Sequence, residues 1–154
     1  MTSKNSFRYI NAAIKEANKS IFIQKHGSVI VTNGKIMSRG YNNHRNKSKD
    51  GFLKNSCTCH AEVCAIRNFY KIKKYHVFNF IKKGTIYVVR VNKKGELCSS
   101  APCINCYNII SKVGIKKIVY SNSNGEIVSC NTKNYKIKHI SYGQRYMIKS
   151  NILK

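Results

Sequence analysis

Two short runs of this sequence carry side chains able to do metal chemistry: His60-Ala61-Glu62 and, further on, Pro102-Cys103-Ile104-Asn105-Cys106. Imidazole and thiolate are the donors zinc prefers. Cys103 and Cys106 are three residues apart, so on a helix both sulfurs leave from one face and reach a single ion. Pro102 suits the first position of such a helix, where its missing N–H costs nothing. The free N–H groups and the positive dipole end there favour thiolate, the form that binds metal. With His60 as third ligand the set is Cys₂His, which leaves one tetrahedral position for water and so reads as catalytic. Zinc held in this way lowers the pKa of bound water to about 7. Glu62 is then the acid and base that moves the protons, and the chemistry implied is metal-assisted hydrolysis. The competing reading is a structural zinc knuckle or a reduced C-x-x-C without metal; a knuckle wants a fourth protein ligand and gives Glu62 no task.

Both runs must sit at helix starts, and the surrounding pattern supplies the helices. Phe7, Ile10, Ala13, Ile14 and Ala17 recur at helical spacing, which predicts a first amphipathic helix over Ser6 to Asn18, lying on a sheet. Ser28 to Thr32 and Lys35 to Tyr41 are apolar runs joined by Asn33-Gly34, the signature of a type I′ hairpin. A polar loop from Asn42 to Cys57 leads to a helix from His60 to about Lys73, with Val63, Ile66 and Tyr70 on its core face and Arg67 and Lys71 toward solvent. Lys74 to Lys83 fits no pattern clearly. Thr85 to Val91 reads as a buried strand, Lys94-Gly95 as a turn, Pro102 to Val113 as a second helix, and Gly114 as its C-terminal cap. Ile115 to Ser121 then returns as a strand parallel to the Thr85 run. Asn124-Gly125 turns into a short strand at Glu126 to Cys130, and the end of the chain is drawn as helix. The fold class is α/β, a three-layer arrangement with a central mixed sheet of about five strands between helices.

The chain has 154 residues and no linker-like stretch, which is the size of one domain. It lacks both an apolar leader and a run able to cross a bilayer, so the expected compartment is intracellular, cytoplasmic or nuclear. Seven cysteines without a secretory signal point to reduced thiols and metal ligation. The formal charge is +24, from 29 basic and 5 acidic residues. Such a field attracts polyanions, and nucleic acid is therefore one candidate partner. The other source of the charge is codon usage in an AT-rich genome, because Lys, Asn and Ile are all abundant.

Taken together, the H-x-E and P-C-x-x-C runs match the signature of zinc deaminases. The chain resembles the cytidine and deoxycytidylate deaminase superfamily over about Gly27 to Val128. The resemblance rests on Gly40-Tyr41-Asn42, His60-Ala61-Glu62, Thr85 to Val91, Ser100 to Cys106, and Gly114-Ile115-Lys116-Lys117-Ile118-Val119-Tyr120. It is nearest the deoxycytidylate, tRNA-adenosine and polynucleotide-editing branches. It implies Zn2+ on His60, Cys103 and Cys106, Glu62 as the catalytic residue, Asn42 contacting the substrate sugar, and the Ala61 backbone lying against the base. It also implies release of ammonia from a cytosine nucleotide or nucleoside, with dCMP foremost, and assembly into a homo-oligomer. The alternatives are a deaminase acting on a base in single-stranded DNA or RNA, tRNA-type adenosine included, and a zinc-bound nucleic-acid-binding module without catalysis. Two departures bear on the substrate: Lys71 to Lys83 reads as an insertion, and Cys64 stands where deoxycytidylate deaminases often carry Asn.

Other residues admit two readings. Cys57 and Cys59, with Cys64, Cys98, Cys130 or His44, would build a second zinc site, or would be ordinary thiols. Lys73, Lys74, Tyr75, Tyr135, Lys136, Arg145 and Tyr146 would stack bases and hold phosphates, or would be core tyrosines and a solvated basic face.

Overall fold

The computed structural model describes residues 3–72, 77–137 and 139–150. Helix α1 spans Lys4–Ala17 and begins at Ser3, whose side chain accepts the Ser6 N–H. Strands β1 (Lys25–Thr32) and β2 (Lys35–Tyr41) form the hairpin, and Asn33 and Gly34 adopt φ of 49° and 72°, as a type I′ turn demands. Helix α2 covers Ala61–Ile72 and α3 covers Val77–Ile81. Strand β3 (Thr85–Val91) and the two-residue β4 (Leu97–Cys98) precede α4, Ile104–Val113. Strands β5 (Lys117–Ser121) and β6 (Ile127–Asn131), a 3₁₀ turn at Thr132–Asn134 and α5 (Tyr142–Lys149) complete the chain.

The sheet has six strands in the order β2-β1-β3-β5-β6, with β4 paired to β3 at its end. Among the described residues only β3 and β5 run parallel, and the segment between them contains α4, so the sequence expectation of a parallel pair around the Cys103 helix holds. The alternation of side chains along each strand defines three layers. Val29, Val31, Tyr87, Val89, Val91 and Val119 pack on α1, while Ile30, Ile86, Val88, Ile118 and Tyr120 pack on α2 and α4 through Ile66, Phe69, Ile110 and Val113. Both sheet faces are covered, which is why these strands read as nearly continuous apolar runs.

Several boundaries and orientations differ from the sequence expectation for local reasons. Lys25 and His26 extend β1 because they pair with Val91 and Arg90 of β3. Gly114 (φ 84°) and Ile115 close α4 in a Schellman motif, their N–H groups bonding to Ser111 and Ile110, so β5 starts only at Lys117. Phe7 is 56% exposed, and the core position goes to Tyr9, whose ring meets Tyr87 at 5.2 Å and whose hydroxyl donates to the Gly34 carbonyl. Arg67 does not face solvent; the Asn42–His60 loop folds over α2 and brings Asp50 to it. The stretch left unassigned contains α3, anchored by fully buried Ile81. Part of the segment read as an insertion, residues 73–76, lies outside the described residues.

Close approach of backbones sets the height of α2 above the sheet. A Cβ at Gly40 would lie 2.3 Å from the Ala65 nitrogen and 2.7 Å from the Ala61 oxygen. Gly40→Ala is therefore expected to push α2 outward at a cost of about 1–3 kcal/mol. Thermal unfolding measures it: a drop of several degrees is expected, and an unchanged midpoint would show that α2 does not depend on this contact.

Candidate active site

Each functional side chain is delivered by the end of an element. The His60 carbonyl accepts the Cys64 N–H and the Cys103 carbonyl accepts the Tyr107 N–H, both at 2.9 Å, so each residue caps its helix. That places His60 at the start of α2, Glu62 in its first turn, Cys103 at the start of α4 and Cys106 in the first turn of α4. Pro102 consequently precedes the capping residue, two positions before the first helical residue Ile104, rather than occupying the first position itself. Its carbonyl is held by the Tyr135 hydroxyl at 2.6 Å.

The run before Cys103 is fixed by a buried serine pair. The Ser100 hydroxyl donates to the Val88 carbonyl at 2.7 Å and accepts the Ser121 N–H at 2.8 Å, tying the segment to β3 and β5. The loop before His60 is fixed from the other side. Asn43 and Cys59 exchange backbone hydrogen bonds at 3.0 Å, and Asp50 pairs with Arg67 Nε at 2.6 Å. Burial raises the Asp50 pKa, but the Ser48 hydroxyl, Arg67 and the Phe52 N–H outweigh it and hold the carboxyl below its usual value. A carboxylate whose folded pKa is depressed stabilises the fold fully above its unfolded pKa, about 3.9. That contribution is lost as pH falls below this value through the folded one. Asp50→Asn is expected to cost about 1–2 kcal/mol at neutral pH, because it leaves buried Arg67 without its carboxylate. The difference from wild type should shrink under acid denaturation toward pH 3. A gap that persists unchanged at that pH would remove the ion pair from the account.

The three expected ligands come together. The Nδ1 atom of His60 lies 3.2 Å from Cys106 Sγ and 3.6 Å from Cys103 Sγ, and the three donor atoms all fall within 4.8 Å of one another. Hydrogen bonding from Cys106, reinforced by His60, lowers the Cys103 pKa to about 3 against the effect of burial. The Cys106 thiol is pushed up by its bond to Cys103 and by burial. Of the two thiols, Cys103 is the one favoured to ionise beside the imidazole. Among the described residues no other group of His, Cys, Asp or Glu gathers in this way. Leu53, Cys59 and Val63 pack against Cys103 and Cys106 and give the sulfurs an apolar backing. Soft donors, three in number and backed by apolar residues, fit zinc with one side left open. His60, Cys103 and Cys106 are positioned to hold Zn2+.

The open side faces a cavity of about 750 Å³ whose wall includes His60, Cys103 and Glu62. Glu62 is 4% exposed. Burial, with a contribution from Cys103, raises its carboxyl pKa against the pull of His60. Asn42 also lines the cavity, but its side chain serves the scaffold: Oδ1 accepts the His26 N–H at 2.9 Å and Nδ2 donates to the Gln24 carbonyl at 2.8 Å. Ala61 is fully buried between His60 and Glu62. Cys64 is not a cavity residue; its sulfur faces the side-chain amides of Asn43 and Asn68.

The second zinc reading finds no support among the described residues: the remaining cysteines form neither a metal cluster nor a disulfide, and His44 packs on Phe22 with ring centroids 4.5 Å apart. The basic and aromatic set divides. Tyr135 is core, stacked on Tyr107 at 5.3 Å, whereas Arg145 reaches the cavity wall. Tyr146 is exposed, and Lys73, Lys74 and Tyr75 lie outside the described residues.

Sequence reasoning missed several cavity residues, chiefly His26, Arg90, His139 and Tyr142. Arg90 left one trace, a single charge within the apolar run Thr85–Val91. The His26 pKa is lowered to about 4 by burial and by the neighbouring His60 and Arg90, so its ring is neutral at physiological pH. His139 and Tyr142 come from the C-terminal segment, which docks by the Ile104 N–H to His139 carbonyl bond, 3.2 Å, and by Gly143 against Cys57.

Three metal donors at two helix starts, an open side on a cavity and a buried carboxyl beside it fit a catalytic zinc site on a three-layer α/β scaffold. Residues 3–122 match the cytidine and deoxycytidylate deaminase zinc-binding region, and the chain belongs to that deaminase family. A dCMP deaminase from the cyanophage S-TIM5, solved with dCMP and dUMP, is 22% identical with a TM-score of 0.58, over 80% of this chain and 85% of that one. A cytidine deaminase from Burkholderia pseudomallei is 21% identical with a TM-score of 0.59, over 83% and 93%. A diaminohydroxyphosphoribosylaminopyrimidine deaminase/reductase from Thermotoga maritima is 20% identical with a TM-score of 0.53, over 93% of this chain and 38% of that one. These likenesses establish the shared fold. No curated protein sequence matches the chain. Among the described residues no helix is long and apolar enough to cross a membrane.

Proposed function

We propose that the protein removes the exocyclic amino group of a cytosine nucleotide by hydrolysis, with dCMP as the first substrate. The observation that carries this is the Glu62 carboxyl, buried in the cavity wall beside the three zinc ligands. Zinc, when bound, supplies the Lewis acid that makes water nucleophilic at neutral pH. Glu62 takes the proton from the attacking water and gives it to the ring nitrogen, and it assists departure of ammonia from C4. A carboxyl held above its ordinary pKa suits both directions of transfer. Asn42, a cavity-lining residue with one N–H and one lone pair still available, contacts the sugar. By the family resemblance the Ala61 backbone, at the start of α2 between the cavity residues His60 and Glu62, lies against the base. The cyanophage dCMP enzyme has the same fold, which sets the choice of pyrimidine to test.

A second reading keeps the chemistry and places the base in single-stranded nucleic acid. It is favoured by Tyr142, 83% exposed at the cavity and free to stack a flanking base, and by the +24 charge. Ammonia release from dCMP, CMP, deoxycytidine, cytidine and a mixed-sequence oligonucleotide separates the two. Turnover of the monomeric cytosine compounds supports the first reading, and turnover of the oligonucleotide alone replaces it with the second.

A further inference from the structure

The proposed chemistry leaves two cations of the cavity without a task. Arg90 projects from β3 and Arg145 from the first half of α5, and both line the same cavity as Glu62. Among the described residues no carboxylate neutralises their charges. Of the protein's five acidic residues, Glu16 pairs with Lys19 and Arg39, and Asp50 pairs with Arg67. Glu96 and Glu126 accept from the side chains of Asn92 and Asn122, and Glu62 belongs to the proton chemistry. Among the described residues, neither cavity arginine has a carboxylate partner.

Both guanidinium groups are nevertheless oriented. Arg145 Nε donates to the Ile140 carbonyl at 3.1 Å, and Arg90 Nη1 reaches the Ser99 carbonyl at 3.5 Å. These contacts are to neutral acceptors, so the charge remains for a ligand. Ser141, Tyr142 and Gly143, the first turn of α5, line the same wall and bring the positive end of that helix to it. A cavity of about 750 Å³ is in the range of small-molecule sites and larger than a pyrimidine base needs. Arg145 also lies beyond the family-matched residues 3–122, in a segment anchored to Ile104 and Cys57.

We propose that Arg145, assisted by Arg90, binds the phosphate of the substrate, so that the C-terminal segment makes this deaminase selective for a nucleoside monophosphate over the nucleoside. This rests on the deaminase reading and deepens it. A guanidinium offers a phosphate two parallel N–H donors, and a charged hydrogen bond of this kind distinguishes substrates far better than an apolar contact does.

The test compares wild type, Arg145→Ala and Arg145→Lys on dCMP and on deoxycytidine, with zinc content measured for each. For Arg145→Ala, kcat/KM on dCMP should fall about 10–100-fold, mainly through KM, while deoxycytidine stays within about twofold. The Lys variant, keeping the charge but not the fork, should recover part of the loss. An equal loss on both substrates, or none on dCMP, overturns the proposal. If wild type deaminates neither compound, the deaminase reading has failed, and calorimetric titration with dCMP decides the phosphate site separately. Binding weakened about tenfold or more by Arg145→Ala upholds the site, and unchanged binding removes it. An Arg145→Ala defect confined to oligonucleotide binding overturns the mononucleotide assignment in favour of a polynucleotide backbone.

Discussion

Glu62→Gln is expected to fold, to retain zinc, and to turn over substrate about 10²–10⁴-fold more slowly than wild type. The amide has the shape of the carboxyl and can still hydrogen-bond, so the packing around this 4%-exposed side chain is preserved. What it cannot do is accept a proton from water and return it to the ring. Burial holds the Glu62 pKa above the ordinary carboxylate value, which marks a group whose ionisation responds to what enters the cavity. Steady-state rates on zinc-quantified protein read the effect. Activity within a few-fold of wild type would remove Glu62 from the chemistry and leave the zinc site structural.

Cys106→Ser is expected to lose most of the bound zinc, and with it all measurable turnover. Cys106 is 1% exposed and lies 3.2 Å from His60 Nδ1, so it has no exposed alternative position from which to bind. A serine hydroxyl does not ionise at neutral pH and is a poor substitute for thiolate. Because metal binding stabilises only the folded state, the variant should also unfold at a lower temperature, and added zinc should raise the midpoint of wild type but not of the variant. Zinc uptake by wild type must release the proton that Cys106 carries, so affinity should weaken as pH is lowered. Metal analysis after gel filtration is the measurement, and full zinc retention by Cys106→Ser would show that this cysteine is not a ligand.

The clustering of His60, Cys103 and Cys106 is legible in the sequence because both runs are local. Spacing within His60-Ala61-Glu62 and within Cys103 to Cys106 is fixed by helix geometry alone, and capping residues such as Gly114 mark where those helices end. The hairpin at Asn33-Gly34 was legible for the same reason. Orientation across long sequence distance was not. Arg67 reads as a solvent-facing helix residue until the loop carrying Asp50 folds over it, and Phe7 and Tyr9 compete for one core position that only the sheet decides. Pro102 reads as the first residue of its helix but lies two positions before it, its carbonyl held by Tyr135, which is distant in the chain. The far wall of the cavity was the least accessible part. His139, Tyr142 and Arg145 belong to a weakly patterned tail, and nothing local indicates that Gly143 will meet Cys57 or that His139 will bond to Ile104. Arg145 reads in the sequence as one of seven residues that would stack bases and hold phosphates or form a solvated basic face, and nothing there ties it to the cavity of Glu62.

Hydrolytic deamination of a cytosine nucleotide at the zinc site is tested most directly by incubating zinc-loaded wild-type protein with dCMP in oxygen-18 water and analysing the nucleotide by mass spectrometry. The expected product is dUMP carrying the water-derived label at C4, formed together with ammonia and absent when Glu62→Gln replaces wild type. Recovery of unchanged dCMP from protein that holds one zinc per chain would contradict it.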